Sequence, residues 1–373
     1  MGLYLHFPFC RKKCAYCDFN SVPAPDTGSR SRYLRALGAE IRAAEAGLVD
    51  TVYCGGGTPT VHSAEDLAGI LGEVKGRFAL SQDAEITVEA NPGTVDRESL
   101  AALRAAGFNR LSLGVQSFHD CLLVGVGRIH SAEESREAVT AARAAGFTNL
   151  SLDLILGLPG EKEEWRDSVA QAIRLSPEHV SLYPLSVEEG TLLAERVAAD
   201  TVVLPEDDEV ERRWRRAARM LEEDGYRRYE ISNFARPGFQ CRHNRRYWER
   251  REYLGLGCGA HSFLGKRRFW NTVRWDEYAE RVLSGEIPLA GEEHLSAEEE
   301  RGEAMILGLR LAGGVSRREF AACYGIDPEE AFPSAVERLQ DAGLLRRRRN
   351  RLVLTAKGRR LANLAFAAFL PES

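Results

Sequence analysis

Three thiols open the chain. In "HFPFCRKKCAYCDFN", cysteines stand at Cys10, Cys14 and Cys17, and the next place for a ligand is taken by the apolar Phe19. Three thiolates suit zinc or an iron–sulfur cluster. A structural zinc site wants four protein ligands, so that reading has to recruit another group, such as His6. A cluster held by three thiolates instead leaves one iron with an open position for a small molecule. A third reading places three core cysteines on one helix face at i, i+4 and i+7. Pro8, the charges at 11–13 and the polar "DFN" argue against such a face.

Further residues with chemistry fall at repeated places. "TVYC" (51–54) leads into "GGGTPT", "EITV" into "EANPG", "RLSLGV" into "QSF", and "LSL" into "DLILGLPG". Gly56, Gly57 and Thr58 make a tight turn where glycine lets a ligand approach the backbone. Glu89 ends an apolar run, and Asp153 is embedded in "LSLDLIL". A carboxylate in such a place needs a partner. Arg128 is the candidate partner for Asp153.

The elements that position these groups are short apolar runs alternating with amphipathic helical stretches: "LYLHF", 51–54, 85–90, 110–115, 149–156 and 179–185. Ser63 with Asp66 and Ser131 with Glu134 read as capping boxes, and Gly107 and Gly146 as helix ends. "LRAAGFNRLSLGV" (103–115) is echoed by "ARAAGFTNLSLDL" (142–154), one helix–turn–strand unit each. Six strands alternating with helices predict an α/β fold with a parallel sheet, open or closed, whose chemistry sits at the C-terminal strand edge. Residues 1–200 are predicted to form this unit and 201–290 an extension. Residues 291–373 follow a helix, basic turn, strand, helix order that is winged-helix-like.

The composition is that of an ordinary folded chain, with 44% hydrophobic and 28% charged residues among 373. No apolar run approaches the length of a transmembrane helix, which leaves only transient contact with a membrane surface open. Cys10 arrives too early to follow a secretory leader, so a cytoplasmic location and reduced thiols are expected. The remaining cysteines, Cys54, Cys121, Cys241, Cys258 and Cys323, are expected to be small core residues. Arginine outnumbers lysine 44 to 6, yet 55 acidic residues leave the net charge at −5. That balance, and a basic patch limited to 346–349, argue against nucleic acid as a partner. A zinc-stabilised nucleic-acid binder is the most distant reading.

C-x3-C-x2-C with an aromatic before the third cysteine, near the first strand of a β/α chain, resembles the radical S-adenosylmethionine (SAM) superfamily. The resemblance implies a partial (β/α)6 TIM-type radical SAM barrel, with a [4Fe–4S] cluster on Cys10, Cys14 and Cys17 and SAM on the fourth iron. "YLHFPFC", "GGGTPT", "VEANP", "GVQSF", "GRIHS", "DLILGLPG" and "LGLGCGAHS" together resemble the oxygen-independent coproporphyrinogen III oxidase-like family, C-terminal helical, winged-helix-like domain included. By that resemblance Gly56, Gly57, Thr58, Glu89, Gln116, Arg128 and Asp153 contact SAM, and Tyr4 and Tyr16 line it.

Two features separate the chain from the oxidases of that family: Phe19 replaces their additional cysteine, and the segment before the cluster motif is short. Both are shared with the haem chaperone (HemW-type) branch, as is an H-N-x-x-Y-W motif, here "HNRRYW". The resemblance implies a protein that captures haem as cargo and delivers it to a recipient haem protein, a respiratory one among the candidates. His243 is then the expected iron ligand. Arg242, Arg245 and Arg246 are expected to meet the propionates. His261 competes, although its glycine-rich surroundings suggest a buried turn. The alternative is an enzyme, a coproporphyrinogen III oxidase or another radical SAM enzyme acting on a porphyrin.

Overall fold

The computed structural model describes residues 1–370. All six expected strands form: β1 (Gly2–Phe7), β2 (Leu48–Gly56), β3 (Ala79–Ala90), β4 (Arg110–Gln116), β5 (Leu150–Leu156) and β6 (His179–Pro184). Between them run the crossover helices α1 (Thr27–Ala43), α2 (Ala64–Arg77), α3 (Arg97–Ala106), α4 (Ala132–Ala144) and α5 (Glu164–Arg174). The start signals act as expected: Ser63 and Asp66, and Ser131 and Glu134, form reciprocal capping boxes. Gly107 ends α3 in the left-handed region at φ 115°. All neighbouring pairs among the six strands are parallel.

The segment 201–290 does not build a core of its own. Its helix α6 (Asp207–Glu223) packs Ala217, Ala218 and Leu221 into the main core. It also adds strands on both edges: β7 (Arg227–Arg228) and β8 (Asn233–Ala235) beyond β6, and β9 (Tyr253–Leu256) beside β1. The last is a seventh parallel strand. Beyond it lie the antiparallel β10 (His261–Leu264), β11 (Arg267–Asn271) and β12 (Leu289–His294). The sheet is an open series, and it is rolled. Tyr53 on β2, Glu89 on β3, Arg110 on β4, Asp153 on β5 and Tyr183 on β6 all reach one cavity. Short helix α7 (Arg242–Trp248) fills the inside of the roll, with Glu85 of β3 accepting from the backbone N–H groups of Arg242 and His243, both at 3.1 Å.

A second core lies between Met305 and Phe369. It joins helices α8 (Ala297–Arg310), α9 (Arg317–Tyr324) and α10 (Pro333–Asp341) to a three-stranded sheet. Its strands are β13 (Val315–Ser316), β14 (Leu345–Arg348) and β15 (Arg351–Leu354), in the order β13-β15-β14. The basic run at 346–349 occupies the β14–β15 hairpin, with Arg349 turning at φ 54°. α11 (Ala356–Arg360) follows. This is the winged layout expected from the sequence. Arg250 fastens the unit to the barrel through Glu300 and Glu303, at 3.3 and 2.8 Å. Among the described residues no helix is long and apolar enough to cross a membrane.

Candidate functional site

The cysteine loop leaves β1 at its C-terminal end, and all three thiols line a cavity of about 360 Å³ at that edge of the sheet. Each sulfur has a hydroxyl or guanidinium beside it. Thr58 Oγ1 donates to Cys10 Sγ (3.4 Å) and Arg128 Nη1 to Cys14 Sγ (3.5 Å), while Cys17 Sγ lies 3.8 Å from Ser21 Oγ. Donors and a guanidinium around thiols favour the thiolate that a metal requires. Burial pushes the Cys10 thiol up, and the Thr58 hydrogen bond opposes it.

The zinc alternative fails on His6. That ring is buried, Nε2 donates to the Asn20 carbonyl (2.8 Å) and Nδ1 accepts from Tyr4 Oη (3.0 Å), so neither nitrogen is free. Burial pushes its pKa down to about 4. Among the described residues no three His, Cys, Asp or Glu side chains converge tightly enough to hold one metal ion. A polynuclear cluster takes only one thiolate per iron, so more widely spaced sulfurs suit it.

The glycine turn after β2 locks onto this loop. Gly57 N donates to Phe7 O (2.7 Å) and Thr58 N to Phe9 O (2.8 Å). Gly56 has φ 110°, and a methyl there would overlap the His6 ring. Gly56→Ala therefore meets backbone strain and a collision together, worth of order 2 kcal/mol. The expected outcome is a lower melting temperature and reduced iron content after reconstitution.

Above the thiols stand the charged groups. Glu89 is held by Tyr53 Oη (2.5 Å) and Gly56 N (3.3 Å), and burial raises its pKa to about 7 despite both hydrogen bonds. Asp153 is also raised by burial, against hydrogen bonds from Ser181, Ser112 and Ser151. The expected Asp153–Arg128 pair does not form. Arg128 instead spans Cys14 Sγ, Asn91 Oδ1 (2.6 Å) and the Gly114 carbonyl, because the loop that carries it lies against the cysteine loop, with Ala15 N donating to Val126 O at 2.9 Å. The cation near Asp153 is Arg110, almost fully buried on β4 with its Nε unpartnered. Sequence reasoning missed Arg110, although an arginine opening the apolar run "RLSLGV" was a signal. Gln116 lines the cavity at φ 66°, beside a register shift in the β4–β5 ladder. A non-glycine residue held there costs about 1 kcal/mol or more, the kind of strain found at ligand sites.

Tyr16 lines the cavity, and Tyr4 and His243 do not. Tyr4 sits deeper in the barrel, stacked on Tyr53 at 6.3 Å. His243 is 1% exposed and stacks on Tyr53 at 5.1 Å. Its Nδ1 is 2.9 Å from Thr51 Oγ1 and its Nε2 2.8 Å from Tyr247 Oη. Burial pushes its pKa down to about 3. This segment is thus an inward-facing helix whose Asn244 forms part of the cavity wall. Its arginines are paired as well, Arg242 with Asp83, Arg245 with Glu249 and Arg246 with Asp50. None of them is free for a propionate in this fold. His261, expected in a buried turn, is exposed on β10 and stacks on Trp270 at 5.5 Å. Of the five scattered cysteines, Cys54, Cys241 and Cys258 are core residues, whereas Cys121 and Cys323 are exposed.

Residues 4–173 match the radical SAM superfamily, and residues 295–361 match the HemN C-terminal domain. A Mycobacterium tuberculosis protein named heme chaperone HemW is 41% identical over 99% of this chain and 94% of its own length. Its Bacillus subtilis namesake is 37% identical over 99% of both. Among solved structures, coproporphyrinogen III oxidase (HemN) from Escherichia coli, a radical SAM enzyme, superimposes with a TM-score of 0.87 at 26% identity. That match covers 99% of this chain and 89% of the other.

Proposed function

Since the chain belongs to the HemW heme chaperone family of radical SAM proteins, we propose that it binds haem and hands it to recipient haem proteins while carrying a [4Fe–4S] cluster and SAM. The observation that carries this reading is similarity along the whole chain to proteins named for that role. Cys10, Cys14 and Cys17 would hold the cluster, with Arg128 and Thr58 supplying hydrogen bonds to two of the sulfurs. Gly56, Gly57, Thr58, Glu89, Gln116, Arg128, Asp153 and Tyr16 share its cavity and would hold SAM. Together the two cofactors supply one-electron chemistry when bound.

Around them, Glu89 and Asp153 offer acceptors to a cationic or hydroxyl-bearing ligand, and Arg110 balances their charge. Tyr53 keeps Glu89 oriented, and His243 supports the Tyr53 ring from beneath. Tyr4 belongs to the same stack. Iron ligation by His243 requires α7 to leave the barrel, because both ring nitrogens are engaged. In the folded form we assign His243 to positioning.

The test is to titrate haem into anaerobically reconstituted protein and pass the mixture over gel filtration. A stoichiometric Soret-absorbing complex is expected. No retained haem with an intact cluster would sink the chaperone reading, and conversion of coproporphyrinogen III under SAM and a reductant would favour an oxidase. His243→Ala, run alongside, removes two buried hydrogen bonds and leaves a cavity, lowering stability by about 2–4 kcal/mol. Retention of haem by this variant is expected from a positioning role. Loss of haem from a variant that still melts cooperatively would assign the ligand to His243 in an opened form.

A further inference from the structure

A second cavity, of about 770 Å³, adjoins the first and is used by nothing described so far. The two share Pro184, Leu185 and Ser186 at the end of β6, so that strand end is the wall between them. The second is a groove between α6 of the barrel and α11 of the C-terminal unit, with Leu185, Val210 and Trp214 on its apolar side. Its volume lies within the range of about 300–1,000 Å³ typical of small-molecule sites. The cluster cavity is less than half that size and would be shared with two cofactors.

Two arginines converge on the groove from different units, Arg228 of β7 and Arg359 of α11. Their bonds are to carbonyls only. Arg228 donates to Glu230 O (3.0 Å) and Ile231 O (2.6 Å), and Arg359 to Leu354 O (3.1 Å). Among the described residues neither guanidinium has a carboxylate at ion-pair distance, and Arg359 Nε is buried with no partner. Burial pulls the Arg228 pKa down to about 10, and the nearby Arg359 adds to the fall. Arg359 is likewise lowered, by burial and then by Arg346. Their neighbours differ: Arg215 and Arg360 share Glu211, at 3.4 and 3.2 Å. Two half-buried cations over an apolar wall, offset only in part by the Glu222 carboxylate at the groove's edge, are the arrangement an anionic group would relieve. Arg228 also lies over the Trp214 ring at 4.5 Å, which keeps a flat surface next to the charge.

We propose that this groove is the seat of the haem cargo, with the ring face on Leu185, Val210 and Trp214 and a propionate carboxylate between Arg228 and Arg359. The proposal rests on the chaperone reading and adds to it a place for the cargo. It also gives the C-terminal unit a task, because one of the two cations comes from each side. A cleft of similar size, about 710 Å³, is lined by Arg245 and Arg250. Both of those arginines are already paired with carboxylates.

The experiment titrates iron protoporphyrin IX, and separately its dimethyl ester, into the full-length reconstituted protein, followed by Soret absorbance. Arg228→Gln and Arg359→Gln are each expected to weaken the diacid about tenfold or more, the loss typical of a charged hydrogen bond. The ester should bind the wild type as weakly as the diacid binds the variants, and should not respond to either substitution. If Arg228→Gln does not fold, Arg359→Gln and the ester still decide the matter. Wild-type affinity for the diacid in both arginine variants would overturn the groove and leave the chaperone reading standing. A wild type that binds neither compound would overturn both.

Discussion

Replacing Cys10, Cys14 or Cys17 by serine is expected to leave protein that emerges from anaerobic reconstitution with essentially no bound iron or sulfide. Cys121→Ser and Cys323→Ser should keep wild-type content. The physical distinction lies in the surroundings of each thiol. The three loop cysteines face one cavity and each has a hydroxyl or guanidinium near its sulfur. Cys241 and Cys258 are sealed in the core, where burial pushes both thiols up to about 12, and such thiols are inert toward metals. Burial pushes Cys54 up as well. Cys121 and Cys323 are exposed and scattered, so neither can complete a site. Hydroxyl replaces thiolate poorly on iron, and two remaining thiolates do not hold a cubane cluster. The check is iron and sulfide analysis with absorbance near the thiolate-to-iron charge-transfer band. Wild-type iron in any of the three loop variants would remove that cysteine from the ligand set.

Where the sequence was legible, the reason was local. Apolar runs of strand length, punctuated by glycine and by capping boxes, placed six strands and their helices without any knowledge of contacts. The seventh parallel strand was hidden. Tyr253–Leu256 reads as "YLGL" before "GCGA", and a glycine-rich run looks like a loop until a partner is found far away, at β1. Asp153 shows the same limit within the site. Its serine partners come from its own strand and from both neighbours, with Ser181 opposite Asp153 and Ser112 opposite Ser151. Only the register of the ladder brings them together, so a long cationic side chain seemed the natural partner.

The helix around His243 was hidden for a different cause. Five arginines between 242 and 251 suggested contacts with propionates, and the charge count hid a helical period. His243 and Tyr247, four residues apart, point into the barrel, while Arg242 and Arg245 turn outward to acidic partners. The carboxylate of Glu85, on a strand more than 150 residues earlier, then caps the helix start from inside. A motif read as a string places its histidine near a cargo. The folded helix places it beneath the tyrosine that orients Glu89.

Glu89 is where that stack meets the chemistry, and Glu89→Gln carries the second large expectation. Burial holds its carboxyl at about 7 against an ordinary 4.5, so the folded state takes up a proton that the unfolded chain has released. The sign follows. The contribution is complete at low pH, is lost as pH rises from about 4.5 to about 7, and amounts to about 3 kcal/mol in all. Glutamine cannot ionise, so denaturation midpoints of the cofactor-free variant should lose this slope. Part of the gain is offset because an amide in place of one oxygen no longer accepts from Gly56 N. Binding should move the other way. SAM carries a sulfonium charge and ribose hydroxyls, and both favour the ionised carboxylate. Wild-type affinity should therefore fall as pH drops below 7, whereas the variant binds about tenfold or more weakly with no pH dependence across that range. Equilibrium dialysis of SAM against reconstituted protein between pH 5.5 and 8.5, as a rough working span around the shifted value, reads both effects. A variant that matches wild-type affinity above pH 7 would place SAM away from Glu89. A flat wild-type profile would mean that Glu89 is already ionised before the ligand arrives, with Arg110 supplying the compensation that the buried carboxylate needs.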